Sequence, residues 1–185
     1  MFLKDENVIV IDFLPRGHST GRQEPIAQVI GTKYFSLLEV VVKADVVLKN
    51  GDIVYIGDEK RDKIDHIKRR INTRELTSFS KSELPFIVEK LVKENETKFV
   101  NFFNTAQPLS TRLHQLELLP GVGKKHMWDV IDERKNGPFT SFEDIKKRIK
   151  LMPDPMSSII KRVMEELEDD NIRYRLFVAG PVKRF

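Results

Sequence analysis

The stretch LELLPGVGKKHMWDVIDERK, residues 116–135, decides the fold of the second half of the chain. On its N-terminal side, leucines recur at a spacing of three and predict an apolar stripe along a helix: Leu113, Leu116 and Leu119. Pro120 and Gly121 end that helix, because proline cannot continue it and glycine accepts left-handed dihedral angles. After Gly123, positions spaced i, i+3, i+4 and i+7 predict a second amphipathic helix: Met127, Val130, Ile131 and Arg134.

The glycine hairpin between these two predicted helices is expected to bind an anion. The backbone amides of Gly121, Val122 and Gly123 would point outward together with the first free N–H groups of the second helix. Lys124 and Lys125 add positive charge at the same place, so phosphate is the expected ligand. The alternative is an ordinary pair of helices in which glycine only caps the first helix, and it leaves the second glycine and the lysines unexplained.

The same segment resembles a helix-hairpin-helix motif, a nucleic-acid-binding element without sequence specificity whose pattern runs roughly L-P-G-[IV]-G-x-K-x-A-x-x-I. Six residues match that pattern: Leu119, Pro120, Gly121, Val122, Gly123 and Lys125. The resemblance implies that the glycines let the backbone approach a phosphate and that Val122 fills the gap between the helices. Met127 stands where the pattern has alanine, which implies a looser helix crossing.

A second, degenerate helical unit is predicted directly after the first. Thr140 or Ser141 can cap a helix whose apolar stripe is Phe142, Ile145 and Ile149. After a turn with two prolines, another helix is lined by Met156, Ile159, Ile160, Val163 and Leu167. Proline has no N–H to offer a phosphate, so this unit is expected to pack against the first in a four-helix module over residues 111–168.

Composition sets the outer limits on function. The chain has 185 residues, of which 40% are hydrophobic and 32% charged, which is typical of a globular protein rather than a disordered one. It has no cysteine, which excludes disulfides, thiolate catalysis and cysteine–zinc sites. No apolar run approaches 18 residues and no leader pattern is present, so a cytoplasmic protein without membrane contact is expected. The net charge is only +4, so a binding surface must be a local patch.

The strongest basic patch lies outside the hairpin, in residues 60–74. It consists of Lys60, Arg61, Lys63, Lys68, Arg69, Arg70 and Arg74. Isoleucines punctuate the stretch at a spacing that fits a helix or a bulged strand, and the β pattern before it favours the strand. A solvated charged face is the alternative reading of the patch. Since arginine suits bidentate phosphate contacts, the patch is predicted to contact nucleic acid.

Four stretches in the first part of the chain read as strands: residues 7–14, 25–31, 35–43 and 52–56. Short polar turns separate them and no helices alternate with them, which predicts a small antiparallel barrel of OB-like type. The fold class is therefore α+β, with an OB-like barrel over residues 1–75, a helical bridge over 76–110, the tandem helical module over 111–168, and a C-terminal strand and tail over 169–185. Within the bridge, Ser82 is the expected helix cap, with Pro85 in the first turn.

Across its length, the chain resembles an archaeal family of uncharacterised proteins predicted to bind RNA or nucleic acid. The resemblance is carried by RDKIDHIKRRI (61–71), SELPFIVE (82–89), TRLHQLELLPGVGKKHMW (111–128), FTSFEDI (139–145) and YRLFV (174–178). It implies an OB-like barrel joined to helix-hairpin-helix repeats. It also implies RNA rather than DNA, with a role related to the ribosome or to rRNA.

An enzyme is the class that the residues support least. Glu133, Arg134 and Lys135 spell part of a nuclease motif, but Phe139 stands where that motif needs an aspartate. The four histidines are dispersed without metal-ligand spacing: His18, His66, His114 and His126. No phosphate-binding P-loop and no nucleophile elbow is present. No catalytic residue, metal or cofactor is therefore predicted.

The resulting hypothesis is non-catalytic, largely sequence-independent nucleic-acid binding with RNA preferred. Its two surfaces are the hairpin of residues 121–125 and the basic patch of residues 60–74. One alternative is a protein-interaction adaptor, in which the helical module docks a protein partner and the barrel edge pairs with a strand. The other is a structure-specific DNA-binding protein.

Overall fold

A computed structural model describes residues 4–180 of the chain, which divide into two units. The first unit contains the chain up to Ile87 together with the segment that begins at Glu166, and the second is Val88–Glu165. Two helices, one beginning in each unit, cross these boundaries. The protein is a mixed α+β protein, as predicted.

The first unit is built on a curled, five-stranded antiparallel sheet. Its strands lie in the order β4-β1-β2-β3-β5 and are β1 (Asn7–Leu14), β2 (Ile26–Gly31), β3 (Leu37–Val42), β4 (Ile53–Tyr55) and β5 (Ile64–Arg70). All four predicted strand stretches are confirmed. The basic stretch at residues 60–74 contributes β5, so the strand interpretation of that stretch is confirmed and the helical one is wrong.

One face of the sheet carries a compact cluster of buried apolar residues. The central strand β2 is buried at every residue. A bulge after Val10 in β1 and register shifts between β3 and β5 bend the strands and so curl the sheet. The core residues are Val8, Val10, Ala27, Val29, Val40, Val42, Leu48, Val54, Ile56 and Ile64.

A row of four polar residues crosses the opposite face of the sheet. Asp12 pairs in register with Gln28, Gln28 with Glu39, and Glu39 with Arg69. Directly paired residues of neighbouring strands share a face, so these side chains form one line across four strands. We call Asp12, Gln28, Glu39 and Arg69 the polar row.

Three side chains contact the carboxylate of Glu39, which is only 1% exposed. Nε2 of His18 lies 2.6 Å from Oε1, and Nε2 of Gln28 donates to the same oxygen at 3.2 Å. Nε of Arg69 donates to Oε2 at 2.9 Å, and its Nη1 pairs with Glu75. Because His18 belongs to the loop between β1 and β2, this buried carboxylate also ties that loop to the sheet.

The polar row also anchors the first helix, α1 (Ser78–Glu94). Thr77 is its cap, since the N–H of Ser80 donates to Oγ1 of Thr77 at 3.0 Å. The same hydroxyl donates to Asp12 at 2.7 Å. The predicted cap at Ser82 is therefore wrong: the cap lies five residues earlier, and Pro85 lies inside the helix rather than in its first turn.

The predicted C-terminal strand at residues 174–178 is wrong. The backbone N–H groups there donate to one buried carboxylate, that of Glu166, rather than to a neighbouring strand. The three distances are 2.7, 3.0 and 2.9 Å, for Leu176, Phe177 and Val178. A carboxylate thus satisfies the amides that a sheet edge would otherwise satisfy. The predicted tail at residues 181–185 lies outside the described residues.

The second unit is mainly helical. After the end of α1 it contains α2 (Glu96–Thr105), the paired short strands β6 (Pro108–Ser110) and β7 (Leu113–His114), a 3₁₀ turn (Gln115–Leu118), α3 (Lys124–Glu133), α4 (Phe142–Arg148) and most of α5 (Pro155–Glu168). The helices predicted after the hairpin are confirmed. Ser141 is the cap of α4, since it accepts from the N–H of Asp144 at 2.9 Å.

The helix predicted before the hairpin is wrong. Its leucines lie on β7, on the 3₁₀ turn of Gln115–Leu118 and directly after that turn. A spacing of three fits the 3₁₀ geometry as well as an α-helix, so the leucines alone do not separate the two. His114 ends the strand and begins the turn, since its Nδ1 accepts from the N–H of Leu116 at 3.1 Å. The helix-hairpin-helix motif is accordingly not confirmed as a pair of α-helices.

We predict that Glu39→Gln destabilises the protein by about 3 kcal/mol, because it puts an amide N–H against the donors that a buried carboxylate satisfied. The free energy of unfolding from urea titrations measures the effect. Glu24→Gln is the matched control, since Glu24 also pairs with a basic residue of β5, Lys68 at 2.6 Å, but at the surface. That control is expected to change stability little, and equal losses in both variants would contradict a special role for Glu39.

Stability should also fall in acid through the same group. Burial alone raises the pKa of Glu39, but the hydrogen bonds from His18 and Gln28 and the charge of Arg69 outweigh burial, so its pKa is lowered. A lowered pKa contributes stability above the ordinary carboxyl pKa, about 4.3, and that contribution is lost as the pH falls through the folded value. The stability difference between the wild type and Glu39→Gln is therefore expected to shrink as the pH falls below about 4. A difference that grows in acid would contradict this assignment.

Candidate functional site

At one position the hairpin of residues 121–125 has a left-handed backbone that strongly favours glycine. Gly121 has φ 83°, and a Cβ placed there would lie 2.9 Å from Cγ of Pro153. Gly123 differs, because its φ is −89° and an added Cβ would meet no atom within 4 Å. The fold therefore requires the first glycine, whereas it does not require the second. Val122 between them is buried, as the resemblance implied.

The carbonyl side of the hairpin faces α5. Oγ of Ser158 donates to the carbonyl of Pro120 at 2.9 Å, and Nη1 of Arg162 donates to that of Leu118 at 3.3 Å. Both of these α5 side chains are buried. The carbonyls are thus satisfied inside the unit, which leaves the amide side of the hairpin to face outward.

Not all of the predicted amides are available. The N–H of Val122 donates to the carbonyl of Leu119 at 3.0 Å and closes the turn, so the expectation that it contacts a ligand is wrong. Helix bonding in α3 begins when the N–H of Met127 donates to Gly123 at 2.9 Å. Within residues 4–180, the N–H groups that donate to no protein acceptor here are those of Gly121, Gly123, Lys124, Lys125 and His126. The helix start also lacks a side-chain cap, which leaves its positive dipole end open to a ligand.

Lys124 and Lys125 are exposed at this helix start, where the sequence places them. Neither makes an ion pair with any described residue. Their ammonium groups and the open amides can therefore all act on the same anion. This end of α3 combines three features that are favourable for an anion: amide donors, a positive dipole end and two exposed ammonium groups.

A cleft of about 470 Å³ opens at the hairpin, and two acidic residues line part of it. It is lined by residues 117–123 and by Glu165. Two carboxylates face it: Glu117 accepts from the N–H of His114 at 2.9 Å, and Glu165 lies 3.7 Å from Arg162. Carboxylates repel phosphate, so the part of the hairpin that suits an anion is the open N–H groups at the start of α3 rather than the part beside Glu117 and Glu165.

The Glu133–Arg134–Lys135 triplet is occupied by structural contacts. Glu133 pairs with Arg148 at 3.0 Å, and Arg134 donates to the carbonyls of Phe103 and Ala106 at 3.1 Å each. The guanidinium of Arg148 also lies 4.4 Å from the ring centre of Phe139. Arg148 thus ties the end of α3 to α4, and Arg134 ties it to the end of α2.

The structure separates the basic patch into engaged and unengaged side chains. Lys68 pairs with Glu24, Arg69 with Glu39 and Glu75, and Arg70 donates to the carbonyls of Ala179 and Gly180. Arg61 donates to the carbonyl of Gly57 at 2.9 Å. Burial lowers the pKa of Arg70, and the charge of Arg175 adds to that effect. Within residues 4–180, the patch members with no side-chain ion pair or hydrogen bond are Lys60, Lys63 and Arg74.

The polar row went undetected in the sequence. Its signal was present, because Gln28 interrupts the apolar strand IAQVIG and Glu39 interrupts LLEVVV. A buried polar residue in an apolar strand needs a partner, but the sequence does not identify that partner.

Trp128, which is 57% exposed on α3, is a second residue that the sequence does not single out, because helical spacing does not distinguish an exposed ring from a buried one.

Among the described residues, no group of three or more histidine, aspartate or glutamate side chains is placed to hold a metal ion. Over the same residues, none of the helices has the length and apolar character needed to cross a membrane.

The fold and hairpin define a mixed α+β protein that joins a curled antiparallel sheet to a helical unit. The chain belongs to the family described as "Protein of unknown function (DUF655)", whose family model matches residues 4–179. It is 46% identical over 170 residues to "Uncharacterized protein MJ0038" of Methanocaldococcus jannaschii, covering 91% of this chain and 77% of that protein. It is also similar to the crystal structure of Af1531 from Archaeoglobus fulgidus, with a TM-score of 0.84 and 44% identity, covering 95% of this chain and all of that one.

The two glycines of the hairpin are predicted to respond differently to substitution. Gly121→Ala is expected to cost about 2 kcal/mol, because its left-handed backbone strains an alanine and Cβ meets Pro153. Gly123→Ser is expected to stabilise the protein by a few tenths of a kcal/mol, because serine caps a helix start better than glycine. Thermal unfolding of the two variants measures both effects. A large loss of stability from Gly123→Ser would contradict the open space seen at that position.

Proposed function

We propose that this protein is a non-catalytic nucleic-acid-binding protein that contacts phosphates at the hairpin and prefers RNA. The observation that carries the proposal is the open start of α3, where Gly123 is not required by the fold. A Cβ there would meet no protein atom, yet it would stand beside the free amides of the helix start. A glycine without a structural reason is explained if a ligand approaches the backbone closely.

The charges around the hairpin support the same proposal. Lys124 and Lys125 form no ion pair with an acidic side chain among the described residues. A phosphate can therefore pair with them without breaking an existing ion pair. Contacts to phosphates and backbone amides position a strand without reading its bases. The binding is therefore proposed to be largely independent of sequence and steeply dependent on salt.

The first unit contributes a smaller share of binding than the sequence indicated. Four of its seven predicted cations are engaged within the unit, so we propose Lys60, Lys63 and Arg74 as its remaining phosphate contacts. We propose that the sheet is OB-like, because it has five strands and all of its strand pairings are antiparallel. Small barrels of this kind suit unpaired strands, which favours RNA over duplex DNA.

The family resemblance noted from the sequence favours the same ligand and adds a ribosome-related or rRNA-related role in the cytoplasm to the proposal. The helical unit is proposed to act as a helix-hairpin-helix-like element in which a 3₁₀ turn replaces the first helix.

A protein-interaction adaptor is the second candidate, because α1 exposes two phenylalanines on one face. Phe79 is 48% exposed and Phe86 is 68% exposed, and seven residues separate them, which is about two helical turns. An apolar contact through these rings would persist at high salt, whereas phosphate binding would not. The salt dependence of binding therefore separates the two candidates.

We predict that Lys124→Glu combined with Lys125→Glu lowers nucleic-acid affinity and makes the binding less sensitive to salt. The slope of log affinity against log salt should fall by about 0.7–0.9 for each phosphate that the variant no longer neutralises. Helix stability is not sacrificed, because acidic residues are favoured in the first turn of a helix. Fluorescence anisotropy with single-stranded RNA, an RNA stem-loop and duplex DNA measures affinity and slope at several salt concentrations. Stronger binding to duplex DNA than to either RNA would favour the DNA-binding alternative.

The matched control is Lys147→Glu combined with Lys150→Glu. It makes the same change in net charge within the same unit, at exposed lysines outside the hairpin. A loss of affinity confined to the hairpin variant supports the proposal, and equal losses in both variants would assign the effect to overall charge. Binding by the wild type that ignores salt would instead move the adaptor candidate to first place.

A further inference from the structure

Trp128 is the only tryptophan of the chain, and 57% of it is exposed. Its neighbours on α3 show why the helix does not bury it. Met127 and Val130 supply the buried face, at 6% and 0% exposure. Trp128 lies about 100° around the helix from Met127, on the side that faces away from the core. The ring is therefore accessible at the surface of α3, and an aromatic side chain in that position is able to stack on a flat ligand.

The charges on the face of Trp128 point to a nucleic acid. Lys124 and Lys125 precede it by four and three residues, so they lie on the same helix face one turn nearer the open helix start. Asp132, four residues after Trp128, is neutralised by Lys135 at 2.7 Å. The face thus presents two unpaired ammonium groups followed by an aromatic ring.

The spacing of these groups suits a single nucleotide strand. Lys124 and Trp128 are separated along the helix axis by about 6 Å, at about 1.5 Å per residue. A strand whose phosphate meets the helix start therefore brings a neighbouring base within reach of the ring. Inside a duplex both faces of a base are already stacked, so only unpaired bases or strand ends can stack on a tryptophan.

We propose that Trp128 stacks on an unpaired base next to the phosphate held at the start of α3, an inference that rests on the proposed function. The ligand class of the hairpin is then a single strand, a loop or a frayed end of RNA, rather than a continuous duplex. Stacking accepts every base, so this addition keeps the binding independent of sequence.

The test uses the intrinsic fluorescence of Trp128 in the full chain. A short oligoadenylate is expected to quench this fluorescence, because the base stacks on the indole ring. An abasic strand of the same length provides the same phosphates without bases and is expected to bind without quenching. A labelled copy of each strand reports binding by anisotropy, so that binding and stacking are measured separately.

The variant Trp128→Leu keeps an apolar side chain and removes the aromatic ring. It is expected to lower affinity for oligoadenylate by about tenfold and to leave affinity for the abasic strand unchanged. Because the ring is largely exposed, the fold should tolerate the change, and thermal unfolding checks this. Phe86→Leu is the matched control: it removes a ring that is 68% exposed elsewhere in the chain and should leave both affinities unchanged.

The outcomes separate this inference from the proposed function. Salt-dependent binding of both strands without quenching, or an equal loss of affinity for both in Trp128→Leu, would overturn stacking while leaving phosphate binding in place. Absence of salt-dependent binding to either strand would overturn the proposed function, and the stacking inference with it.

Discussion

A buried carboxylate is stable only when donors surround it, and the first unit depends on meeting that constraint at Glu39. Its donors come from β2, β5 and the loop that carries His18, so one side chain aligns elements that are distant in sequence. The same solution recurs at Asp5, which accepts from the backbone N–H groups of residues 33, 34 and 36, and at Glu166. In a chain without cysteine, these carboxylates fasten the loops that disulfides fasten in other small proteins.

The strands could be predicted from the sequence, but the polar row could not. Strict alternation along β1 puts Val8, Val10 and Asp12 on one face. The bulge after Val10 moves Asp12 to the other face, where it meets Gln28, and no composition rule locates such a bulge. The ion pairs of the basic patch could not be predicted either, because they too depend on which strands lie side by side. Arg69 pairs with Glu75, which is nearby in sequence, but its buried partner Glu39 lies 30 residues away and directly opposite it in the sheet.

The hairpin shows which parts of a local motif the sequence does encode. The need for glycine at 121, the burial of Val122 and the start of α3 are all local properties, and the sequence predicted them. The structure of residues 113–118, before the hairpin, depends on whether this segment forms a strand and a 3₁₀ turn or an α-helix. That choice is made by the pairing of His114 with Pro108, a contact between residues whose types carry no strong strand preference. The second glycine is the reverse case, because the structure shows that local geometry does not require it.

The contacts of α5 with the hairpin carbonyls have a consequence for how binding would proceed. Ser158 and Arg162 fasten one side of the loop from within the unit, and Pro153 fills the space beside Gly121. The loop therefore holds its shape before any ligand arrives, and little chain entropy remains to be lost on association. Because the loop does not have to fold when a ligand binds, the association rate would be set by diffusion and by the attraction between opposite charges.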